Sequence, residues 1–295
     1  MQVSIIIVNY NTKDLLKNCI KSIYEQTKDI QYEIIVSDNG STDNSVEMLK
    51  EQFPSVIILE NGKNLGFGAA NNVGLKHAKG KYVFYLNSDT VLLNNAVKIF
   101  YEYFEENNIN NTIGALGCNL IDKNGNITAS YDNNFVFKKD VLRFIRDYLY
   151  LWYPKIQKAT SRPFKKHIGP VDFIIGADLF MLNNEHAKFD EYFFLYHEET
   201  DLQYNNLYKN NLSRIIIDGP QIMHLEGGSN HNSNDKYSFI TSFSRINDRL
   251  SKVKYYKKNG TKLQTKILKS LLLLIWKNKK VINQTNKYIP ELKEI

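Results

Sequence analysis

Four apolar runs in the first third of the chain end, one after another, in short polar clusters. Val3-Ser-Ile-Ile-Ile-Val8 gives way to Asn9-Tyr-Asn11, and Tyr32-Glu-Ile-Ile-Val36 to Asp38-Asn-Gly-Ser-Thr-Asp43. Val56-Ile-Ile-Leu59 leads to Asn61-Gly-Lys-Asn64, and Tyr82 to Leu86 leads to Asn87-Ser-Asp89. The runs are too continuously apolar for strands with one wet face, so they predict strands covered on both sides. Helical spacing fills the gaps. Thr12 can cap a helix carrying Leu15, Leu16, Cys19, Ile20 and Ile23, and Thr42 or Asp43 one carrying Val46, Leu49 and Phe53. A third helix is expected over 69–78, closed by Gly80. Repeated strand–helix units with short connections imply an α/β fold, a mostly parallel Rossmann-like sheet with helices on both faces. Ligands of such sheets sit outside the carboxyl ends of the strands, which is where the polar clusters lie.

Beyond Leu92 the pattern loosens. Ala115–Ile121 and Asn126–Ser130 read as a hairpin around Lys123-Asn-Gly125. Residues 135–166 are aromatic and basic. Val171–Ile175 resumes strand character and runs into Gly176-Ala-Asp178. Residues 200–209 read as helix, 214–217 as strand, and two helices are expected from Phe239 onward. At 295 residues and 43% hydrophobic the chain can bury one large domain with an appendage. Two cysteines, Cys19 and Cys118, suit a reducing compartment and exclude a cysteine-built metal site. Met1–Val8 lacks a basic leader and is too short to span a bilayer, so a cytoplasmic location is expected. The net charge of +7 is compatible with nucleic acid, anionic lipid or phosphorylated substrates and does not choose among them.

Val8-Asn-Tyr-Asn11, Asp38 to Asp43, Asn64-Leu-Gly-Phe67 with Asn72 and Gly74, Leu86-Asn-Ser-Asp89 and Phe194-Leu-Tyr-His-Glu-Glu-Thr-Asp-Leu202 occur in that order. The ordered set resembles the family 2 glycosyltransferases of the GT-A fold, especially their rhamnosyltransferase-like bacterial branch. The resemblance covers roughly residues 1–230. It implies a catalytic domain over 1–230, with a nucleotide-binding half (1–110) and an acceptor half (111–230), followed by a C-terminal helical extension over 231–295. It also implies inverting transfer of rhamnose or another hexose from a UDP- or dTDP-sugar to a hydroxyl of a growing cell-surface glycan, on a lipid-linked or oligosaccharide acceptor.

A nucleotide-sugar donor leaves as a diphosphate, whose charge calls for a hard divalent cation, Mg2+ or Mn2+. Where the family commonly has an Asp-x-Asp triplet, this chain has Asn87-Ser88-Asp89, so Asp89 is the carboxylate ligand. His224, in Ile222-Met-His-Leu-Glu226, matches a position where relatives place a histidine on the metal. Inversion needs one base to take the acceptor proton. The resemblance assigns it to Glu199, with Glu198 orienting acceptor hydroxyls and Asp201 supporting the positive helix end. Donor and nucleotide contacts fall to Val8, Asn9, Tyr10, Asn11, Asp38, Asn64, Gly66, Asn72, Asn87, Ser88 and Gly176. Asp38 would accept the base N3–H and Tyr10 would pack on the base.

Each of these residues also has a plainer reading: Asp38-Asn-Gly-Ser41 as a tight turn, His224 as a core histidine, Glu198-Glu199 as an acidic first helical turn. Gly66-Phe-Gly-Ala-Ala-Asn71 is not a dinucleotide fingerprint, because it lacks the third glycine and does not directly follow a strand. A sugar nucleotidyltransferase would need a glycine-rich basic loop after the first strand, where Asn9-Tyr-Asn-Thr12 stands. The other rival is a non-catalytic protein that binds glycan or nucleic acid; nucleic acid is not expected as a partner. Leu263, Ile267, Leu271, Leu274 and Ile275, with lysines between, suit an amphipathic helix over 262–280. That helix could lie on an anionic membrane, as a peripheral attachment to the inner face of the cell membrane, or pack on protein. An oligomer is left open.

Overall fold

A computed structural model describes residues 1–108, 110–132, 136–153, 164–225 and 237–295. Its strands are β1 (Val3–Asn9), β2 (Tyr32–Asp38), β3 (Ile57–Glu60), β4 (Tyr82–Leu86), β5 (Thr90–Leu92), β6 (Ile113–Cys118), β7 (Tyr131–Asp132), β8 (Gly169–Pro170), β9 (Phe173–Ile174), β10 (Asp178–Leu182), β11 (Ser213–Ile217) and β12 (Ile222–His224). The helices are α1 (Lys13–Gln26), α2 (Ser45–Gln52), α3 (Phe67–Leu75), α4 (Ala96–Asn107), α5 (Phe137–Tyr150), α6 (Glu198–Leu202), α7 (Ser238–Thr241), α8 (Phe243–Asn259), α9 (Lys262–Trp276), α10 (Ile282–Thr285) and α11 (Ile289–Glu294).

The chain divides into two compact units. One comprises Met1–Asn133, Pro163–Phe194 and Glu198–Ser229, the other Asn134–Arg162, Leu195–His197 and Asn230–Ile295. The domain boundary expected at residue 230 lies outside the described residues.

The first unit is an eight-stranded sheet in the order β3-β2-β1-β4-β10-β6-β11-β8. Strands β3, β2, β1 and β4 run parallel, as do β6 and β11, whereas β10 is antiparallel to both its neighbours. Side chains alternate across the sheet. Ile5 and Ile7 join Leu16, Cys19, Ile20, Val97 and Phe100 on one face. Ile6 joins Val83, Tyr85, Leu179 and Leu202 on the other. Both faces are therefore dry, which explains the near-continuous β-branched run of β1. Helix α3 presses so closely on the second face that a Cβ on Gly74 would stand 2.5 Å from Ile6 Cγ2.

Three local expectations are corrected. Thr12 sits at the start of α1 but makes no cap bond; Lys13 N–H donates instead to Asp43 Oδ2 (2.8 Å). Asp43 also accepts from Ser45 at the start of α2. Burial would raise that carboxyl, but the hydrogen bonds from Ser45 and Lys13 hold it below its ordinary range. The expected hairpin is shorter than 115–130: Ile121 bridges Ile127, Asp122 N–H donates to Asn126 O (2.8 Å) and Thr128 N–H to Leu120 O (2.9 Å), while β6 pairs in the central sheet. The main strand after Val171 is 178–182, not 171–175.

The second unit is helical. α9 opens with a reciprocal capping box between Thr261 and Gln264 and packs against α5, α8 and α11. It buries Leu268, Leu272, Ile275 and Trp276 and exposes Leu263 and Leu274. Arg249 on α8 donates to Asp147 on α5 (2.5 Å) and to Asp248. His197 also reaches Asp248, at 3.1 Å. Among the described residues no helix is long and apolar enough to cross a membrane.

Candidate functional site

Strand order reverses between β1 and β4, and a crevice at such a switch point is where open α/β sheets take ligands. The carboxyl ends of β1 and β2 are in register, with Asn9 opposite Asp38. Asn9 Nδ2 donates to Asp38 Oδ1 (2.7 Å) and to Ser41 Oγ (2.9 Å), and Asn9 Oδ1 accepts from Thr12 (2.7 Å). Thr12 in turn meets Ser88 at 2.9 Å, linking the first loop to the fourth. Asp38 Oδ2 accepts from Gly40 N–H (3.1 Å) and Ser41 N–H (2.9 Å). The tight-turn reading therefore holds for Asp38. Asn11, at φ 54°, accepts from Thr42 N–H (2.8 Å). Tyr10 stays exposed on this rim, while Val8 is half-buried behind it.

The lone acid after β4 has found its partner. β5 pairs antiparallel with β12, placing Thr90 opposite His224. His224 Nε2 lies 3.2 Å from Asp89 Oδ1, with the two side chains 12% and 14% exposed. Leu225 N–H donates to Asp89 O (3.0 Å), fixing the main chain beside the pair. The two residues are 135 positions apart in a 295-residue chain, so only the ribbon brings them together. A carboxylate oxygen and an imidazole nitrogen, partly open to solvent, are a donor set that suits a divalent cation. Among the described residues no group of three or more His, Cys, Asp or Glu gathers for one.

Asn87 N–H donates to Ala177 O (3.1 Å), which ties the loop after β4 to the Gly176-Ala177 segment. A Cβ on Gly176 would lie 3.5 Å from Glu199 Cβ, so Glu199 stands over that segment. Glu199 is half-exposed, whereas Glu198 is buried against Gly68. Asp201 is buried and accepts from Asn205 (2.8 Å). Of the two paired glutamates, Glu199 is the one with access to solvent.

Two expected donor contacts are turned inward. Asn72 is buried and brackets residues 189–191: Nδ2 donates to Phe189 O (2.9 Å) and Glu191 (3.0 Å), and Oδ1 accepts from Phe189 N–H (2.9 Å). At Gly66, φ is +88°, and a Cβ would fall 2.0 Å from Phe194 O. The close backbone approach there is made by the chain itself. Asn64 accepts from Gly66 N–H (2.9 Å) and from Asn39 (3.3 Å), shaping the same turn.

Sequence reasoning missed Asp178. It is fully buried at the start of β10, with Oδ2 accepting from Cys118 N–H (2.7 Å). Among the described residues Oδ1 has no hydrogen-bond partner. Burial pushes this carboxyl up to about 8, against the hydrogen bonds from Cys118 and the charge of His224. An acid opening the apolar run Leu179-Phe-Met-Leu182 is the signal that would have found it.

Comparison with known proteins bears on this site. A family model described as glycosyl transferase family 2 matches residues 4–158. The chain is 36% identical over 121 residues to a poly(ribitol-phosphate) beta-glucosyltransferase of Bacillus spizizenii, which covers 39% of this chain and 19% of that protein. It is 27% identical over 203 residues to the poly(ribitol-phosphate) beta-N-acetylglucosaminyltransferase TarP of Staphylococcus aureus, covering 64% of this chain and 62% of TarP. The chain thus spans less than two thirds of the length of either relative. In fold it is similar to the mannosyltransferase PcManGT of Pyrobaculum calidifontis, solved with GDP-Man and Mn2+. The TM-score is 0.57 at 16% identity, covering 99% of this chain and 73% of that one.

Proposed function

Because the chain belongs to glycosyl transferase family 2, whose model matches more than half of it, we propose that it transfers a sugar from a nucleoside-diphosphate donor to a hydroxyl of a growing glycan. The observation that carries the reading is the Asp89–His224 pair at 3.2 Å at the carboxyl end of β4, on the same loop system that Glu199 overlooks. Asp89 and His224 would hold a divalent cation, Mn2+ or Mg2+. Bound there, the cation would neutralise charge on the departing diphosphate. Tyr10 offers its exposed ring to the base, and Asn87 and Ser88 border the donor. Asp38, already holding the turn through both oxygens, uses a remaining lone pair for the base N3–H.

Glu199 takes the acceptor hydroxyl proton, and attack from the face opposite the leaving group inverts the anomeric centre. Glu198, expected to orient acceptor hydroxyls, is buried against Gly68 and is not given that role. The donor is a UDP- or dTDP-hexose, rhamnose included, and the acceptor a lipid-linked or oligosaccharide precursor of a cell-surface polymer at the cytoplasmic face of the membrane.

A donor panel followed by release of free UDP or dTDP, with and without manganese, tests this. Metal-stimulated release that needs an acceptor is the expected result, and Asp89→Ala should abolish it. Release of diphosphate from a nucleoside triphosphate would instead make the protein a nucleotidyltransferase. Metal titrations unchanged in both Asp89→Ala and His224→Ala would end the metal assignment.

A further inference from the structure

The charge of the chain is split unevenly between its two units. The first carries 16 Lys and Arg against 25 Asp and Glu, a formal −9; the second carries 22 against 6, a formal +16. The basic character of the protein is therefore a property of the helical unit alone.

Within that unit α5 is built inside out. Its inward stripe is Asp140, Phe144, Asp147 and Leu151, spaced four, three and four. The two acids are neutralised where they are buried. Asp140 accepts from Tyr256 (2.8 Å) and pairs with Lys252 (3.2 Å), and Asp147 accepts from Arg249 (2.5 Å). The outward stripe is Leu142, Ile145 and Leu149, continuing into Trp152 and Tyr153 past the helix end, spaced three, four and three. Leu142 is 55% exposed, Leu149 40% and Trp152 53%. Lys138 and Lys139 flank this stripe and are also exposed, while Arg143 pairs with Asp140 (3.4 Å). Both acids of α5 point inward, so its open face carries cations and large apolar groups together. Lys280 adds another cation, 4.1 Å from the Trp152 ring centroid.

We propose that this face of α5 is a docking surface for an anionic lipid bilayer. Leucine and isoleucine at helical spacing gain by entering an apolar phase, and lysines beside them gain from anionic headgroups. Trp152 and Tyr153, apolar with one polar atom each, suit the boundary between the two. A dissolved polyanion would satisfy the lysines and leave the leucines in water. A second copy paired through this same face would bring another basic surface against the first. The surface is distinct from the exposed residues of α9, whose larger apolar share is buried within the unit. The proposal goes beyond sugar transfer, since vesicle binding needs neither donor nor acceptor.

Co-sedimentation of the full chain with vesicles of phosphatidylcholine containing about one-third phosphatidylglycerol tests it. The wild type should bind these vesicles, bind pure phosphatidylcholine weakly, and show a blue shift of Trp152 emission. Leu142→Glu with Leu149→Glu should weaken binding by about tenfold or more, because both glutamates must be dehydrated. Lys138→Glu with Lys139→Glu should weaken it on the anionic vesicles. Leu263→Glu with Leu274→Glu should do less than either. Unchanged circular dichroism and unchanged UDP binding keep misfolding out of the comparison. The proposal fails if the wild type stays in the supernatant or if the double leucine variant sediments like the wild type. It fails likewise if only the lysine variant loses binding, the signature of a polyanion site. A wild-type dimer that Leu142→Glu splits, with no vesicle binding, would assign the face to a second copy.

Discussion

Asp178 in the sheet unit and Asp248 in the helical unit are both withdrawn from water, yet their acidities move in opposite directions. Asp178 is fully buried, and burial pushes it up to about 8 against the hydrogen bonds from Cys118 and the charge of His224. Asp248 retains 22% of its side-chain surface. Burial would raise it too, but the Arg249 guanidinium, with His197 and Lys252, drives it far below the usual carboxylate range. A buried acid in these two units thus follows its nearest partner rather than its depth. The same contrast runs through the whole molecule. The acidic unit places polar groups at the ends of its strands, while the basic unit pairs Asp140, Asp147 and Asp248 internally and leaves Lys138 and Lys139 exposed.

The largest expected effect tests the chemistry assigned to the sheet unit. Glu199→Gln should lower turnover roughly 10²–10⁴-fold, the worth of a general base, with donor affinity nearly kept. A loss under tenfold would remove the base from Glu199 and with it the catalytic half of the contrast. Vesicle binding by the same variant should be unaltered.

Next comes the ion cluster of the helical unit. Arg249→Ala leaves Asp147 and Asp248 without their shared cation and should cost about 3–5 kcal/mol in denaturant unfolding. A cost below about 1 kcal/mol, the level of an exposed pair, would show that pairing is not what sets this unit apart. Asn72→Ala should cost about 1–3 kcal/mol, by orphaning the main chain of Phe189, and leave donor affinity unchanged. A selective loss of donor affinity would return Asn72 to the cleft.

The last test is read as a slope in the pH profile of stability. Asp178 keeps its proton in the folded state up to about 8, whereas an unfolded aspartate loses it near its ordinary value of about 4. Between those limits the folded state binds more protons, so this residue makes stability fall as pH rises through the window. Asp178→Asn should flatten that fall. Asp248 has the opposite sign: its contribution is present above about 4 and is lost as pH falls through its depressed folded value. A profile unchanged by Asp178→Asn would mean that the carboxyl is ionised after all.

Much of the sheet unit was legible in the sequence because parallel strands covered on both faces must be continuously apolar. β1, β2, β4 and β11 were found for that reason. Their polar termini marked the carboxyl ends where Asn9 meets Asp38 and Thr12 meets Ser88, whereas His224 was matched to Asp89 through the family resemblance alone. What escaped depended on distant partners. No local rule says that Asp43 will cap α1 from another loop, that β10 will enter the sheet antiparallel, or that Asn72 will face residues 189–191. Asp178 escaped because residue type does not tell which aspartate is enclosed. The helical unit was the hardest to read. It joins 134–162 to segments from 230 onward, and the apolar spacing of α5 marks an outward stripe, where the same spacing usually marks a core.

The ribbon of β5 and β12 carries a constraint on length. Residues 218–221 join β11 to β12, and the register of that ribbon sets His224 against Thr90. Gly219, at φ +108°, and the buried Pro220 restrict their identities, and gaining or losing a single position would slip the ribbon by one and swing the imidazole to its opposite side. An insertion there should be tolerated by the fold and still disarm the pair, so natural variation ought to leave the size of this turn alone.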